Sequence, residues 1–322
     1  MRETMSRLKA IARDAWESRR WPDRPQSLNV EVTAACDARC IHCPRHEMSR
    51  PMQVMPRDLW VRLIDQAAEL GVTYLCPNGY GEICTLPVAR LRDYLGHAAS
   101  RTHRFKILVN TNGNLMSEER AAVFIEHGVH LVNVTIDGAT AATAESIRLK
   151  LNFDQIESNV KRLLAMRRAA GRRFPKVRVG MIAMPQTIPE VPAFLEKWRG
   201  VADFVGIGGF SSRLGSVWTA VDEPELVQVG RRAERPSPLP SCMLPFRDLN
   251  VWADGRAVLC CEDWNEAHVV GDANTQTLHE IWHGPALTHA RTLHLQGRGA
   301  ELEICRMCNN WQRPSTGARL WV

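Results

Sequence analysis

Short apolar segments rich in β-branched residues alternate six times with longer segments of helical periodicity between about residues 27 and 210. The short runs are typical of strands and the long ones of helices. This alternation predicts an α/β fold with a parallel sheet and right-handed crossovers, curled into a partial barrel or left open. In either arrangement we expect the functional residues at the C-terminal ends of the strands. The predicted strands cover residues 27–33, 72–76, 105–110, 130–136, 176–182 and 203–208.

The segments on either side of residues 27–210 do not show this alternation of strands and helices. Residues 1–26 carry apolar side chains at helical spacing, and we interpret them as an N-terminal helical extension packed on the barrel of residues 27–210. Residues 211–240 show no periodicity and contain Pro224, Pro236, Pro238 and Pro240. We interpret them as a linker to a second, smaller unit of residues 241–322.

Net charge, the apolar segments and the cysteine content indicate which partners and which cellular compartment to expect. The net charge is +6, from 41 basic and 35 acidic residues, and the basic residues are spread along the chain rather than grouped, which argues against a nucleic-acid partner. The sequence has no signal peptide and no apolar run long enough to span a bilayer, so we expect a cytoplasmic protein without a membrane partner. Ten cysteines in such a chain favour metal ligation over disulfides.

Three of these cysteines follow the first predicted strand. Cys36, Cys40 and Cys43 form a C-x3-C-x2-C array on one loop. Three thiolates on a short loop can hold three corners of a [4Fe-4S] cluster and leave the fourth iron open to a ligand. A zinc site with His42 or His46 as fourth ligand is the alternative reading of this array.

This spacing, placed after the first strand of an alternating α/β chain, resembles the signature of the radical S-adenosylmethionine (SAM) superfamily. The resemblance implies a partial (β/α)6 barrel and a [4Fe-4S] cluster whose open iron chelates the amino and carboxylate groups of SAM.

The resemblance continues at the later strand ends. NGYGEICTLP resembles the family's glycine-rich loop for the SAM amino group, although Tyr80 replaces a glycine and Ile83 a proline. NTNGNLM and VTIDG resemble the segments after the third and fourth strands, and one later arginine matches a residue that pairs with the SAM carboxylate. The aromatic position before the third cysteine is a histidine here, which the resemblance places against the adenine. SAM-binding roles are thereby implied for His42, Gly81, Glu82, Asn112, Thr135, Asp137 and Arg148.

A second cysteine set lies near the C-terminus. A turn at Ala253-Asp254-Gly255 predicts a hairpin that brings Cys242 towards Cys260, and a closing C-x-x-C supplies two more thiols. A structural zinc is the alternative reading. The set resembles the auxiliary-cluster domain called SPASM and its shortened form, Twitch, through its cysteine and glycine spacing and the segment LHEIW. The resemblance implies one auxiliary [4Fe-4S] cluster held by Cys242, Cys260, Cys305 and Cys308.

Cys261 competes with Cys260 as a ligand. Adjacent residues on a strand face opposite sides, so one of the two points away from the cluster. The position of Cys260 five residues after Gly255 matches the family spacing and favours Cys260.

The resemblance implies reductive cleavage of SAM, driven by a one-electron donor such as flavodoxin or ferredoxin, and hydrogen-atom abstraction from a small molecule. The layout resembles the deoxy-scyllo-inosamine dehydrogenase type of antibiotic biosynthesis, which favours oxidation of a secondary alcohol of a carbohydrate, aminocyclitol or sugar nucleoside to a ketone.

Three alternative functions stay open. Decarboxylation or dehydration of a sugar nucleoside is a second hypothesis. Peptide modification is a third, for which the residues before the first strand are too few to form a leader-binding domain. A non-catalytic iron–sulfur or zinc module is a fourth. The sequence assigns no catalytic base.

Overall fold

The computed structural model describes residues 22–101, 105–209, 242–306 and Cys308. Most of the predicted N-terminal extension (1–26) and all of the predicted linker (211–240) lie outside the described residues. The described part of the extension, residues 22–26, contains no helix. The domain boundaries therefore stay predictions.

Strands and helices alternate as the hydrophobic pattern predicted. The strands of the described residues are β1 (Ser27–Val30), β2 (Arg39–Cys40), β3 (Tyr74–Cys76), β4 (Lys106–Thr111), β5 (Leu131–Thr135), β6 (Arg148–Leu149), β7 (Lys176–Ala183), β8 (Phe204–Gly209), β9 (Asp248–Val251), β10 (Arg256–Val258) and β11 (Val269–Asp272). The helices are α1 (Arg57–Leu70), α2 (Val88–Ala99), α3 (Glu118–Glu126), α4 (Ala141–Ile147), α5 (Phe153–Ala169), α6 (Val191–Trp198), α7 (Leu244–Arg247), α8 (Leu278–Trp282), α9 (Pro285–Leu295) and α10 (Glu303–Arg306). No helix among the described residues is long and apolar enough to cross a membrane.

The first helix shows how the sequence builds these layers. α1 buries Leu59, Leu63 and Ala67, which recur every four residues and so lie on one face. The helix ends where Gly71 adopts a left-handed conformation, with φ of 72°, and its N–H donates to the carbonyls of the last turn. The buried face packs into the main hydrophobic core.

Nine of the described strands form a single sheet in the order β11-β10-β9-β1-β3-β4-β5-β7-β8. Within this sheet, every neighbouring pair along the segment β1-β3-β4-β5-β7-β8 is parallel. This confirms the predicted parallel sheet. β9 and β10 form the predicted antiparallel hairpin, and Gly255 occupies the turn with φ of 94°. The hairpin also pairs with the barrel, because β9 runs parallel to β1 with Asn29 opposite Asn250. The C-terminal segment therefore extends the sheet of the barrel.

A two-stranded antiparallel sheet lies outside this main sheet. β2 pairs with β6, and Cys40 lies opposite Arg148. The cysteine loop is thereby tied directly to the segment that follows α4. Sequence patterns did not predict this pairing because each strand has only two residues.

Candidate functional site

The N-terminal cysteines meet at a cavity beside the C-terminal ends of the parallel strands. Cys36, Cys40 and Cys43 all line this cavity, whose volume is about 340 Å³. Its wall also includes residues from the ends of β3, β4, β5 and β7. This is the edge at which a parallel α/β sheet places its functional residues.

The chemistry of these cysteines fits an iron–sulfur cluster. Burial raises the pKa of the Cys36 thiol to about 12 and also raises the pKa of Cys40, and a metal cation beside them would favour their thiolate forms. No three histidine, cysteine, aspartate or glutamate side chains of the described residues converge on a single metal ion. Three cysteine thiols can hold three corners of a four-iron cluster, whereas a zinc site normally takes four protein ligands.

Glu82 and Gly81 shape the loop after β3. The Glu82 carboxylate is buried and accepts hydrogen bonds from Thr111 Oγ1 (2.7 Å), the Asn112 N–H (2.7 Å) and the Cys84 N–H (3.0 Å). Burial raises its pKa. A Cβ atom on Gly81 would overlap the Thr33 carbonyl oxygen, so this position requires glycine. Both residues line the cavity. They also hold the loop close to Thr33 and to the end of β4.

Asn112 fastens the cysteine loop to the end of β4. Its Nδ2 donates to Asp37 Oδ1 (2.7 Å), and Asn114 Nδ2 donates to Asp37 Oδ2 (2.9 Å). Asp37 was not predicted from the sequence, although its position between the first two cysteines was a usable signal. Asn112 also lines the cavity.

Asp137 and Arg148 form a buried ion pair. Arg148 Nη2 lies 2.7 Å from Asp137 Oδ2, and Arg148 Nε donates to the same oxygen at 2.8 Å. The other carboxylate oxygen accepts from the Ile182 N–H at 2.7 Å. Arg148, His42 and Thr135 line the cavity, whereas Asp137 lies behind its wall. The predicted contact of Asp137 with SAM stays a prediction, and its carboxylate is already engaged by the protein.

Four C-terminal cysteines surround a second, smaller cavity. Cys242, Cys260, Cys305 and Cys308 all line it, together with His294. The Cys305 Sγ and His294 Nε2 atoms lie 3.4 Å apart, and burial lowers the pKa of His294 to about 4, which leaves this imidazole neutral. His294 was missed because it lies on α9, remote from any cysteine motif. The converging thiols fit an auxiliary cluster.

Cys261 does not line this second cavity. It is exposed and lines a third, large cavity of about 1050 Å³. This cavity runs along the inner faces of the central strands and is lined by polar side chains that include Asn29, Asn110, Arg178 and Arg247. Periodicity could not reveal it, because polar side chains that point into a barrel give the same alternating pattern as a strand with one face in solvent.

The comparisons with known proteins agree with this geometry. The family model described as Radical SAM superfamily matches residues 30–197, which is more than half of the chain. The chain belongs to the radical SAM superfamily. Residues 242–309 match SPASM, described as an iron-sulfur cluster-binding domain. The predicted partial radical SAM barrel with a C-terminal auxiliary-cluster domain is confirmed, and the two domains imply a SAM-binding [4Fe-4S] cluster and auxiliary clusters.

Relatives of this radical SAM protein include enzymes of two kinds. The S-adenosyl-L-methionine-dependent 2-deoxy-scyllo-inosamine dehydrogenase of Niallia circulans is 22% identical and aligns over 88% of this chain and 92% of its own. The PqqA peptide cyclase of Gluconobacter oxydans is 26% identical over 92% of this chain and 86% of its own. The crystal structure of BtrN in complex with AdoMet and 2-DOIA superimposes with a TM-score of 0.61 at 19% identity, covering 92% of this chain and 98% of BtrN. This last likeness shows the fold.

Proposed function

We propose that this radical SAM enzyme oxidises a secondary alcohol of a carbohydrate, aminocyclitol or sugar nucleoside to a ketone. We call the cavity lined by Cys36, Cys40 and Cys43 the SAM cavity. The observation that carries the proposal is a site of four cysteines beside the large polar cavity, which adjoins the SAM cavity. Oxidation to a ketone removes a hydrogen atom, a proton and a further electron. When bound, the first cluster with SAM supplies the hydrogen-atom acceptor, and an auxiliary cluster supplies a one-electron acceptor.

The protein's own residues hold these groups. We assign Cys36, Cys40 and Cys43 as ligands of the first cluster, since all three line one cavity. His42, Thr135 and Arg148 line the same cavity and offer contacts to SAM. The assignment of Arg148 to the SAM carboxylate rests on the motif match and on its positive charge, because Nε and Nη2 of its guanidinium already contact Asp137.

We assign the auxiliary cluster to Cys242, Cys260, Cys305 and Cys308. Glu262 lines both the auxiliary cavity and the large cavity, so a substrate in the large cavity lies next to the auxiliary site. This proximity favours electron removal from the substrate. We propose flavodoxin or ferredoxin as the donor of the electron that radical SAM enzymes require.

The large cavity suits a small polar substrate. Amide side chains such as Asn29 and Asn110 line it, and Arg247 is neutralised by Asp248, with N–O distances of 2.7 and 2.8 Å. Amide groups offer hydrogen-bond donors and acceptors without charge, which matches hydroxyl groups. Polar groups that line a cavity in this way fix the orientation of a ligand.

Peptide modification is the second candidate function, because the similarity to a peptide cyclase extends over 92% of this chain. Decarboxylation or dehydration of a sugar nucleoside is a redox-neutral variant of the first. The oxidation state of the product separates these from the dehydrogenase proposal.

The decisive experiment compares wild type with Cys305→Ala/Cys308→Ala. Both proteins are reconstituted anaerobically and incubated with SAM, dithionite and 2-deoxy-scyllo-inosamine, and deoxyadenosine and ketone are measured by mass spectrometry. We expect the wild type to form both, and the variant to form deoxyadenosine without ketone, because its electron acceptor is missing. Retention of the first cluster in the variant, checked by iron content, is the control, since loss of a metal site can unfold its domain. Near wild-type ketone yield in the variant, or a wild-type product at the oxidation level of the substrate, rejects the dehydrogenase proposal.

A further inference from the structure

The SAM cavity and the large cavity share part of their lining. Among the shared residues are Asn78, Tyr80, Asn110, Asn133 and Arg178, and we call this shared wall the junction. A substrate bound in the large cavity must present its reacting carbon at the junction, because hydrogen-atom transfer requires the two reacting carbons to be in near contact. Side chains at the junction therefore select which part of a substrate reacts.

Two asparagines at the junction orient one another. Asn110 of β4 and Asn133 of β5 are direct neighbours in the parallel register, so their side chains lie on one face of the sheet. Asn133 Nδ2 donates to Asn110 Oδ1 at 3.0 Å, and Asn110 Nδ2 donates to Cys76 Sγ at 3.3 Å. These bonds determine where the Asn133 amide points.

The remaining polar atom of this pair has no partner within the part of the chain that the structure describes. Asn133 Oδ1 is buried and accepts no hydrogen bond there. Buried side-chain oxygens of folded proteins almost always accept a hydrogen bond. The nearest residue of β7 is Gly180, where an added Cβ atom would lie 3.8 Å from Asn133 Oδ1. Because residue 180 is glycine, no side chain of β7 covers this acceptor at that position.

We propose that Asn133 is a substrate-binding residue whose Oδ1 accepts a hydrogen bond from a hydroxyl group of a neutral polyol ring placed at the junction. The inference rests on the proposed function and extends it to a named contact. A neutral amide is suited to a hydroxyl, because its oxygen accepts while the second Nδ2 hydrogen donates. A site built to bind a hydroxyl discriminates strongly against ligands without one.

The test measures hydrogen-atom transfer directly. Reconstituted holoenzyme is incubated with SAM, dithionite and either scyllo-inositol or 2-deoxy-scyllo-inosamine, each deuterated at its ring carbons. Deuterium in the deoxyadenosine product then reports abstraction from the probe, whereas total deoxyadenosine reports SAM cleavage. We expect Asn133→Leu, which keeps the side-chain shape, to lower the deuterated fraction of the deoxyadenosine by about tenfold at subsaturating probe.

A matched asparagine variant controls for loss of stability. Asn152 caps α5 by accepting a hydrogen bond from the Gln155 N–H at 2.7 Å, and it lines neither cavity. Asn152→Ala removes a helix cap and lowers stability, but we expect its deuterium transfer to match the wild type. Equal transfer in Asn133→Leu and wild type would overturn the inference and leave the proposed function standing.

Wild-type enzyme that transfers deuterium from neither probe would overturn the proposed function, and the inference with it. Asn133→Asp keeps the test decisive if the leucine variant loses its iron, since aspartate has the shape of asparagine. Its negative charge favours the amine-bearing probe, so we expect the ratio of transfer from the aminocyclitol to transfer from scyllo-inositol to rise. An unchanged ratio would reject a direct contact.

Discussion

The contact between Asp137 and Arg148 links the SAM cavity to the stability of the fold. Arg148 lines the cavity, and its Nη1 lies 3.9 Å from Cys40 Sγ. Burial lowers the pKa of Arg148, but the carboxylate of Asp137 and the thiols of Cys40 and Cys43 together raise it by more, so the net shift is upward. Arg148 therefore stays charged at the cavity wall. A single guanidinium both neutralises a buried carboxylate and offers its positive charge to a ligand.

Arg148→Ala tests these two roles. Removing one partner of a buried pair leaves an uncompensated charge, which costs about 3–5 kcal/mol of stability. We expect a lower Tm and weaker SAM binding, measured by thermal unfolding and by binding to the reconstituted protein.

The double variant Asp137→Asn/Arg148→Ala separates the roles. Asparagine at position 137 removes the negative charge that Arg148→Ala leaves without a partner. We therefore expect the double variant to recover part of the Tm while SAM binding remains weak. Wild-type SAM affinity in the double variant would restrict Arg148 to a structural role.

At the scale of elements, the segment after the cysteine triplet docks the C-terminal loop onto the barrel. Arg50 forms a buried pair with Glu31, with 2.7 Å between Nη2 and Oε2, and its Nε donates to the Trp264 carbonyl at 2.8 Å. The Tyr80 N–H also donates to Glu31, and the Tyr80 hydroxyl donates to the Cys261 carbonyl, each at 2.8 Å. Loops that carry the two cysteine sets are thereby held together by hydrogen bonds around one buried carboxylate.

Arg50→Ala breaks this link. The Glu31 carboxylate is fully buried, so we expect a loss of about 3–5 kcal/mol and a clearly lower Tm in thermal unfolding. Auxiliary iron is expected to dissociate more readily, because the loop of Cys260 loses its anchor.

An exposed arginine pair of the same type provides the control. Arg57 contacts Asp93 on the surface at 2.8 Å, with both side chains well exposed. Arg57→Ala is expected to leave the Tm nearly unchanged, because solvent screens such pairs. An equal effect of the two substitutions would contradict the assignment of the Glu31–Arg50 pair as the anchor.

For the whole molecule, iron content counts the two cysteine sites. We expect about eight irons per reconstituted chain, as two four-iron clusters require. The triple variant Cys36→Ala/Cys40→Ala/Cys43→Ala is expected to retain about four irons and to lose SAM cleavage. Full iron content in this variant would refute the assignment of the first cluster.

Adjacent cysteines offer a matched pair for the second site. Cys260 lines the auxiliary cavity, whereas Cys261 is exposed and lines the large cavity. Cys260→Ala is expected to lower the iron content by about four, and Cys261→Ala to leave it unchanged. The reverse result would exchange the two residues in the ligand set.

Local patterns predicted most of the elements correctly. The predicted strand at 105–110 corresponds to β4 (Lys106–Thr111), and the one at 130–136 corresponds to β5 (Leu131–Thr135). These predictions succeed because strand and helix periodicities are properties of consecutive residues. The cysteine spacings were equally local and led to the family and its cofactors. The two-residue strands β2 and β6 were missed, since segments so short carry no periodicity.

The remaining features depend on which surfaces meet after folding. β9 joins β1 although Asn29 and Asn250 are 221 positions apart, and no pattern within either segment encodes that pairing. The Glu31–Arg50 pair, the approach of His294 to Cys305 and the open acceptor of Asn133 arise in the same way. In the sequence, Glu31, Arg50, His294 and Asn133 are ordinary polar residues outside the cysteine motifs. Burial and neighbours brought by distant segments give it a partner or leave it open to a ligand.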